Sequence, residues 1–236
     1  MDDDLLREQQ AFYRRRAPEY DEWWQRRGRY DGGPQQAAEW RAEVDVLDAA
    51  LADFDARGEV LEMAGGTGWW TERLARTATR LTVVDASAET LAINRERVNR
   101  ADVEYIRADL FSWEPSRAHD VVFFSFWLSH MPRARVAAFW ELVARSLAPG
   151  GRVMFIDNRY DPTSGGGDPY VVEYGPDVQR RRLSDGSEHR VVKVMYEPDE
   201  LERDLSKLGW QATVEGTRWF IFGTATPRQE TRAGPR

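Results

Sequence analysis

The stretch Val60-Leu61-Glu62-Met63-Ala64-Gly65-Gly66-Thr67-Gly68 decides how the rest of the chain is read. A short apolar run ends on an acidic residue, passes through a glycine-rich turn and opens into a segment, 69–79, that reads as a helix. Glycines carry no Cβ, so backbone N–H groups can come close to a ligand there. The first N–H groups of the following helix have no partner within the helix and point at whatever fills the turn. An adenosine-type cofactor is the expected occupant.

Outward from this turn, strands and helices alternate. Strands are predicted at 59–63, 81–85, 103–106, 120–124 and 152–157, with helices between them at 69–79, 87–99 and 133–147. Such alternation gives a parallel sheet with helices on both faces. On the N-terminal side, residues 4–27 read as a polar helix carrying aromatics (Phe12, Tyr13, Tyr20, Trp23, Trp24), broken by the Gly28–Pro34 stretch. Residues 37–54 place Trp40, Val44, Leu47, Leu51 and Phe54 at helical spacing. Beyond Asp157 the pattern changes. Asp161–Pro169 reads as a long loop, and strands at 179–183 and 189–196 flank Ser184-Asp185-Gly186-Ser187, where Asp-Gly suits a type I′ turn. A helix at 198–208 and strands at 211–216 and 218–224 follow, and 227–236 reads as a disordered tail.

Composition excludes several classes. The 236 residues suffice for one large domain, with 33 Lys+Arg against 40 Asp+Glu and a net charge of −7, which weighs against a general nucleic-acid binder. Without cysteine there are no disulfides, thiolate metal sites or cysteine nucleophiles. The acidic start Met1-Asp2-Asp3-Asp4 has no apolar core, so a secretory leader is not expected. No apolar run approaches the ~20 residues of a membrane span, and a cytoplasmic location is the default expectation. Ten Trp and ten Phe are many, and some of them are expected to line a pocket.

Four segments, in order, resemble class I S-adenosylmethionine-dependent methyltransferases of the small-molecule, Rossmann-like type, and the resemblance covers roughly residues 10–225. The first is Glu62–Gly68, similar to the family's acidic-x-Gly-x-Gly-x-Gly loop, with Ala64 in place of the first glycine. The second is Val83-Val84-Asp85-Ala86-Ser87, the third Ile106-Arg107-Ala108-Asp109-Leu110, and the fourth runs from Asp120 to Pro132 and includes Ser125-Phe126-Trp127-Leu128-Ser129-His130. The resemblance implies a doubly wound, mostly parallel seven-stranded sheet whose last strand runs antiparallel. It also implies an N-terminal helical lid (1–55), a cofactor domain (56–226) and a hairpin insertion after the fifth strand (about 161–196). S-adenosylmethionine is the implied cofactor and S-adenosylhomocysteine the product.

Residue by residue, Glu62 would orient the loop and the methionyl ammonium, and Ala64, Gly65, Gly66 and Gly68 would form the backbone cradle. Asp85 would accept from the ribose hydroxyls with Ala86 beside it, and Asp109 and Leu110 would meet the adenine. Ser125 and Phe126 would flank the cofactor, and Tyr13 and Tyr20 would close over it, or else belong to an aromatic helix packed on the domain. His130 has two readings, a general base or a brace for its loop. Substrate candidates are Trp24, Trp127, Arg159, Tyr160 and Arg182. The basic residues of the hairpin either form a solvated face or roof the pocket, where an anionic substrate group would fit.

Asp157-Asn158 matches two ligands of the metal-dependent catechol-type enzymes, but Ser125 stands where the third, acidic one belongs, so no metal is expected. A nicotinamide oxidoreductase is disfavoured because Thr71 occupies the small position that ends G-x-G-x-x-G/A. Nucleic-acid amino methylation is not expected, since no Asp/Asn-Pro-Pro-aromatic segment follows the fourth strand. A relative of the fold that binds the cofactor but runs other chemistry, such as a cyclase, stays open. The expectation is methyl transfer to an O, N or C atom of a small molecule in specialised metabolism, without nucleic-acid or membrane partners. Neither the substrate nor the oligomeric state is readable.

Overall fold

Strand side chains point alternately to opposite faces, and in this chain both faces are apolar. The computed structural model describes residues 3–163 and 176–228. In β1 (Glu59–Met63), Leu61 and Met63 join one buried cluster while Val60 joins another. The same split recurs in β4 (His119–Ser125), with Val122 and Phe124 on one side and Val121 and Phe123 on the other. Helix α6 (Val136–Ser146) and helix α7 (Pro198–Lys207) cover the first face, and α3 (Gly33–Phe54), α4 (Thr71–Leu74) and α5 (Ala88–Val98) cover the second. A sheet buried on both sides is the setting in which parallel strands occur.

The seven-stranded sheet has the order β3-β2-β1-β4-β5-β9-β8. Here β2 is Arg80–Asp85, β3 Val103–Arg107, β5 Leu147–Asn158, β8 Trp210–Gly216 and β9 Phe220–Pro227. Strands β1 to β5 pair in parallel, and β9 runs antiparallel to both β5 and β8. The strand order reverses between β1 and β4, which opens the crevice where ligands of such sheets bind. A separate two-stranded sheet pairs β6 (Val178–Arg182) with β7 (Glu188–Val192).

Several expectations shift. The helix predicted at 69–79 reduces to α4, because the surrounding turns mix i→i−3 bonds (Arg76 to Arg73, Thr77 to Leu74) with i→i−4 bonds (Ala75 to Thr71, Ala78 to Leu74). The helix predicted at 4–27 breaks at Pro18 into α1 (Asp3–Arg16) and α2 (Tyr20–Trp24), joined by a 3-10 turn. The hairpin turn is not type I′, which needs positive φ at both central residues. Only Gly186 (φ 84) is left-handed there, so Ser184-Asp185-Gly186 form a three-residue loop closed by the Leu183 N–H on the Ser187 carbonyl at 3.0 Å. Residues 227 and 228 are ordered, with Pro227 in β9 and the Arg228 N–H on the Gly209 carbonyl at 2.8 Å. The loop expected at 161–169 is described only to Thr163, and the tail expected at 227–236 lies outside the described residues from 229 onward.

Candidate active site

The glycine turn leaves β1 with Ala64 in the left-handed region (φ 55), followed by Gly66 at φ 53. Gly65 is needed for a different reason: a Cβ there would lie 2.3 Å from Val83 Cγ1, so the turn lies directly on β2. Asn94, fully buried on α5, fastens it from beneath. Its amide donates to the carbonyls of Gly65 (3.1 Å) and Gly66 (3.2 Å) and to Thr71 Oγ1 (2.7 Å), while Tyr105 donates to its Oδ1 at 3.1 Å. Thr71 in turn donates to Glu62. Thr71 is therefore part of a buried network, which accounts for a hydroxyl at a position that would otherwise pack apolar.

Glu62, 1% exposed, keeps its Oε2 atom without a hydrogen-bond partner. Burial pushes its pKa up to about 8, against the Thr71 hydrogen bond, and the nearby Asp85 charge adds to the rise. A buried orphan acceptor beneath the glycine turn fits the role of answering a cationic ligand group.

Asp85, at the end of β2, collects the Gly66 N–H (2.9 Å), the Ser87 N–H (2.8 Å) and the Thr90 hydroxyl (3.1 Å). Burial raises its pKa and these donors oppose the rise, so the carboxylate is held in place at the crevice. Ser87 is also the N-cap of α5, accepting from Thr90 N–H at 3.1 Å. At the end of β3, Asp109 accepts from the Phe111 N–H at 3.0 Å and from Gln10 of α1 at 2.9 Å. Phe126, at φ 52, is a bulky residue in the left-handed region, pinned by its N–H on the Ile156 carbonyl at 2.8 Å. Strain of this kind concentrates at functional sites.

One pocket gathers these pieces. Of the residues expected from the sequence, Tyr13, Tyr20, Ala64, Gly66, Asp85, Ala86, Asp109, Leu110, Ser125, Phe126, Trp127 and His130 all line it. Glu62, Gly65 and Gly68 do not line it: Glu62 is buried in β1, and Gly65 and Gly68 lie against Asn94. The sequence reading missed Leu6, Gln9, Gln10 and Arg14 of α1, and Phe111 beside Trp127 (ring centroids 5.4 Å). It also missed Asp21, which accepts from Thr67 Oγ1 at 3.0 Å and pairs with Arg97, tying α2 to the glycine turn and α5. A helix that contributes polar residues to a pocket has no local motif, so nothing in the sequence marked these positions.

Four substrate candidates lie elsewhere. Trp24 is stacked on Trp69 (5.1 Å, 6°) inside an aromatic cluster with Trp23, Trp40, Trp70 and Phe220. Arg159 pairs with Glu197 at 2.7 Å and donates to the Thr217 carbonyl at 3.0 Å. Tyr160 is 58% exposed. Arg182 pairs with Glu188 at 2.7 Å on the outer face of the hairpin, whereas its neighbour Arg181 faces inward, near Tyr13 and His130. Alternation along β6 turns these two arginines to opposite faces.

His130 is 8% exposed and its Nδ1 lies 2.9 Å from the Val192 carbonyl. A carbonyl only accepts, so in the neutral ring Nδ1 carries the hydrogen and Nε2 presents its lone pair to the Tyr13 hydroxyl at 2.8 Å. Burial, with Lys193, Arg181 and Arg16 nearby, drives its pKa well below 6.5, against the Val192 hydrogen bond. Burial pushes Tyr13 up to about 12. Asp157 is not positioned as an open ligand: it accepts the Ser129 N–H (2.8 Å) and the Asn158 N–H (2.7 Å), bracing the loop that carries His130.

The doubly wound sheet, the glycine turn and two carboxylates at the ends of β2 and β3 together define a nucleoside-cofactor site, and comparison with known proteins gives its family. The chain belongs to the class I S-adenosylmethionine-dependent methyltransferases. The family model of a methyltransferase domain matches residues 60–151. A solved complex of DhpI with SAH is 36% identical and superposes with a TM-score of 0.77, covering 98% of this chain and 100% of that one. A DhpI-SAM-HEP complex is likewise 36% identical, with a TM-score of 0.77, covering 96% and 100%. The glycopeptide N-methyltransferase MtfA with S-adenosylmethionine, 18% identical at a TM-score of 0.54 over 72% of this chain and 87% of that one, shares the fold. Nodulation protein S of Rhizobium tropici is 28% identical over 131 residues, 54% of this chain and 52% of that protein, so the match spans about half the length of this curated relative. No helix among the described residues is long and apolar enough to cross a membrane.

Proposed function

We propose that the protein transfers a methyl group from S-adenosylmethionine to a nucleophilic O, N or C atom of a small molecule in specialised metabolism. The observation that carries this reading is the single pocket in which Asp85, Asp109 and the glycine turn adjoin His130 and Trp127. Full-length likeness to DhpI, solved with SAH and with SAM, supports it.

The residues fit the cofactor. Asp85 would take the ribose hydroxyls, Asp109 and Leu110 the adenine edge, and the backbone of Ala64 and Gly66 the methionyl part above the orphan Glu62 oxygen. When bound, the cofactor supplies an electrophilic methyl group on a sulfonium. The chain's own contribution is alignment and exclusion of water. Residues 1–55 serve as the lid over the core at 56–226: α1 brings Tyr13 and Gln10 onto the pocket, and α2 is held to the glycine turn through Asp21. His130, neutral and with Nε2 as acceptor, receives a hydrogen bond or proton from the nucleophile side once Tyr13 yields it.

The reading is tested by incubating the protein with methyl-labelled S-adenosylmethionine and a panel of small hydroxy, amino and activated-carbon acceptors. Label appearing in an acceptor is expected. Tight cofactor binding with no transfer to any acceptor class would favour a member of the fold that has lost methyl transfer.

A further inference from the structure

The hairpin delivers a second cluster to the far side of His130. Lys193, which follows β7, is 2% exposed, and its Nζ donates to the Ser129 hydroxyl at 2.8 Å. Among the described residues no carboxylate lies within ion-pair distance of that ammonium. The nearest acid acting on it is Asp157, whose oxygens already accept two backbone N–H groups. Arg181 of β6 and Arg16 of α1, itself 8% exposed, add like charge around the same side chains. Arg16 also donates to Tyr30 at 3.3 Å and lies over the Tyr20 ring, so it is fixed in the cluster. An ammonium buried with only a hydroxyl for company is an expensive arrangement, and burying charge is compensated when an opposite charge arrives. Burial holds the Lys193 pKa down to about 7.

We propose that Lys193, with Arg181 and Arg16 beside it, anchors an oxyanion of the substrate, a carboxylate or a phosphate-like group, and thereby aims the nucleophile at the cofactor pocket from the His130 side. The proposal rests on the methyltransferase reading and narrows its substrate class. Three features favour an anion there. A guanidinium fork matches the paired oxygens of an oxyanion. His130 belongs at once to the pocket wall and to this cluster, so an anion at Lys193 lies next to the reaction site. The positive charges of Lys193, Arg181 and Arg16, which add to burial in disfavouring an imidazolium, would be offset by the bound anion, so substrate binding would raise the basicity of His130.

The test is thermal unfolding of the wild-type protein and of Lys193→Met, each titrated with inorganic phosphate, with acetate, and with chloride at matched ionic strength, with and without S-adenosylhomocysteine. Wild-type protein is expected to show a saturable rise in Tm of about 5 °C with phosphate or acetate beyond the chloride control. Whichever anion gives the larger shift tells the phosphate-like group from the carboxylate. Lys193→Met is expected to lose that rise while keeping its S-adenosylhomocysteine shift. Should Lys193→Met fail to fold, Arg181→Gln, on a half-exposed strand position, is expected to weaken the anion response at least about tenfold in concentration. An anion response no larger than chloride in wild type, or one unchanged in the variants, overturns the proposal. Absence of the S-adenosylhomocysteine shift in wild type would instead count against the methyltransferase reading itself.

Discussion

Asp85 does two jobs with one carboxylate: it accepts the Gly66 N–H, which shapes the turn, and it faces the pocket. Charge-assisted hydrogen bonds of this kind contribute about 1.5–3 kcal/mol each. Asp85→Ala should therefore weaken cofactor affinity about 10- to 100-fold by isothermal titration. Ala64 departs from the glycine pattern yet adopts φ 55, where a Cβ costs about 1–2 kcal/mol. Ala64→Gly is expected to raise stability by up to about 1 kcal/mol, read as a Tm increase of a few degrees. At His130 the sign of the pKa shift makes its own prediction. Because the folded value lies well below 6.5, the ring is neutral throughout the range above it. Lowering pH from about 8 to about 6.5 should produce no loss of kcat/KM that disappears in His130→Gln. An inflection near the ordinary histidine value, abolished by that substitution, would contradict the burial argument. These individual residues were readable from the sequence because each ends a strand or turns a loop. Asn94 and Asp21 were not, since what matters there is burial and contact across long sequence separations, and Lys193 was visible only as one of the hairpin's basic residues, without its burial against Ser129.

At the scale of elements, α1 is clasped to the hairpin. Glu8 accepts from the Arg190 N–H (2.6 Å) and from its Nε (2.8 Å). Gln9 accepts the Val192 N–H (2.8 Å) and donates to the His130 carbonyl (2.9 Å). This clasp places Tyr13 on His130 and closes the pocket from above. Gln9→Ala strands two buried backbone groups and should cost about 1–3 kcal/mol. Faster hydrogen exchange at the Val192 amide, together with a raised KM, would show that the loss is felt as lid opening. Unchanged exchange there would mean that α1 is held by its apolar residues alone. Strand and helix order was legible because apolar periodicity is local. The inward face of the hairpin was not: alternation gives two faces, and only the packing of α1 on β7 shows that Arg181 and not Arg182 turns to the site.

Across the whole molecule, buried ionisable groups tie stability to pH with opposing signs. Glu62 has a folded pKa of about 8 against an ordinary 4.5, so the fold binds the extra proton between those values. The stability it lends is full below about 4.5 and is lost as pH rises towards about 8. Lys193 is depressed from 10.5 to about 7, so the fold releases its proton early and gains stability as pH rises through that window. The Tm difference between Glu62→Gln and wild type should widen from about pH 5 to about pH 8, and that between Lys193→Met and wild type should shrink above about pH 7. At this scale the sequence disclosed the sheet and its cofactor crevice, because strand ends and glycine turns are local signals. The substrate side stayed hidden because it is assembled from α1, the hairpin and the loop after β4, which meet only in three dimensions.

The central claim, a S-adenosylmethionine site organised by Asp85, is tested most directly by titrating S-adenosylhomocysteine into wild-type protein and Asp85→Ala by calorimetry. One ligand per chain in wild type and an affinity about 10- to 100-fold weaker in the variant are predicted. No heat of binding in folded wild-type protein, or equal affinity in the two, would contradict the account.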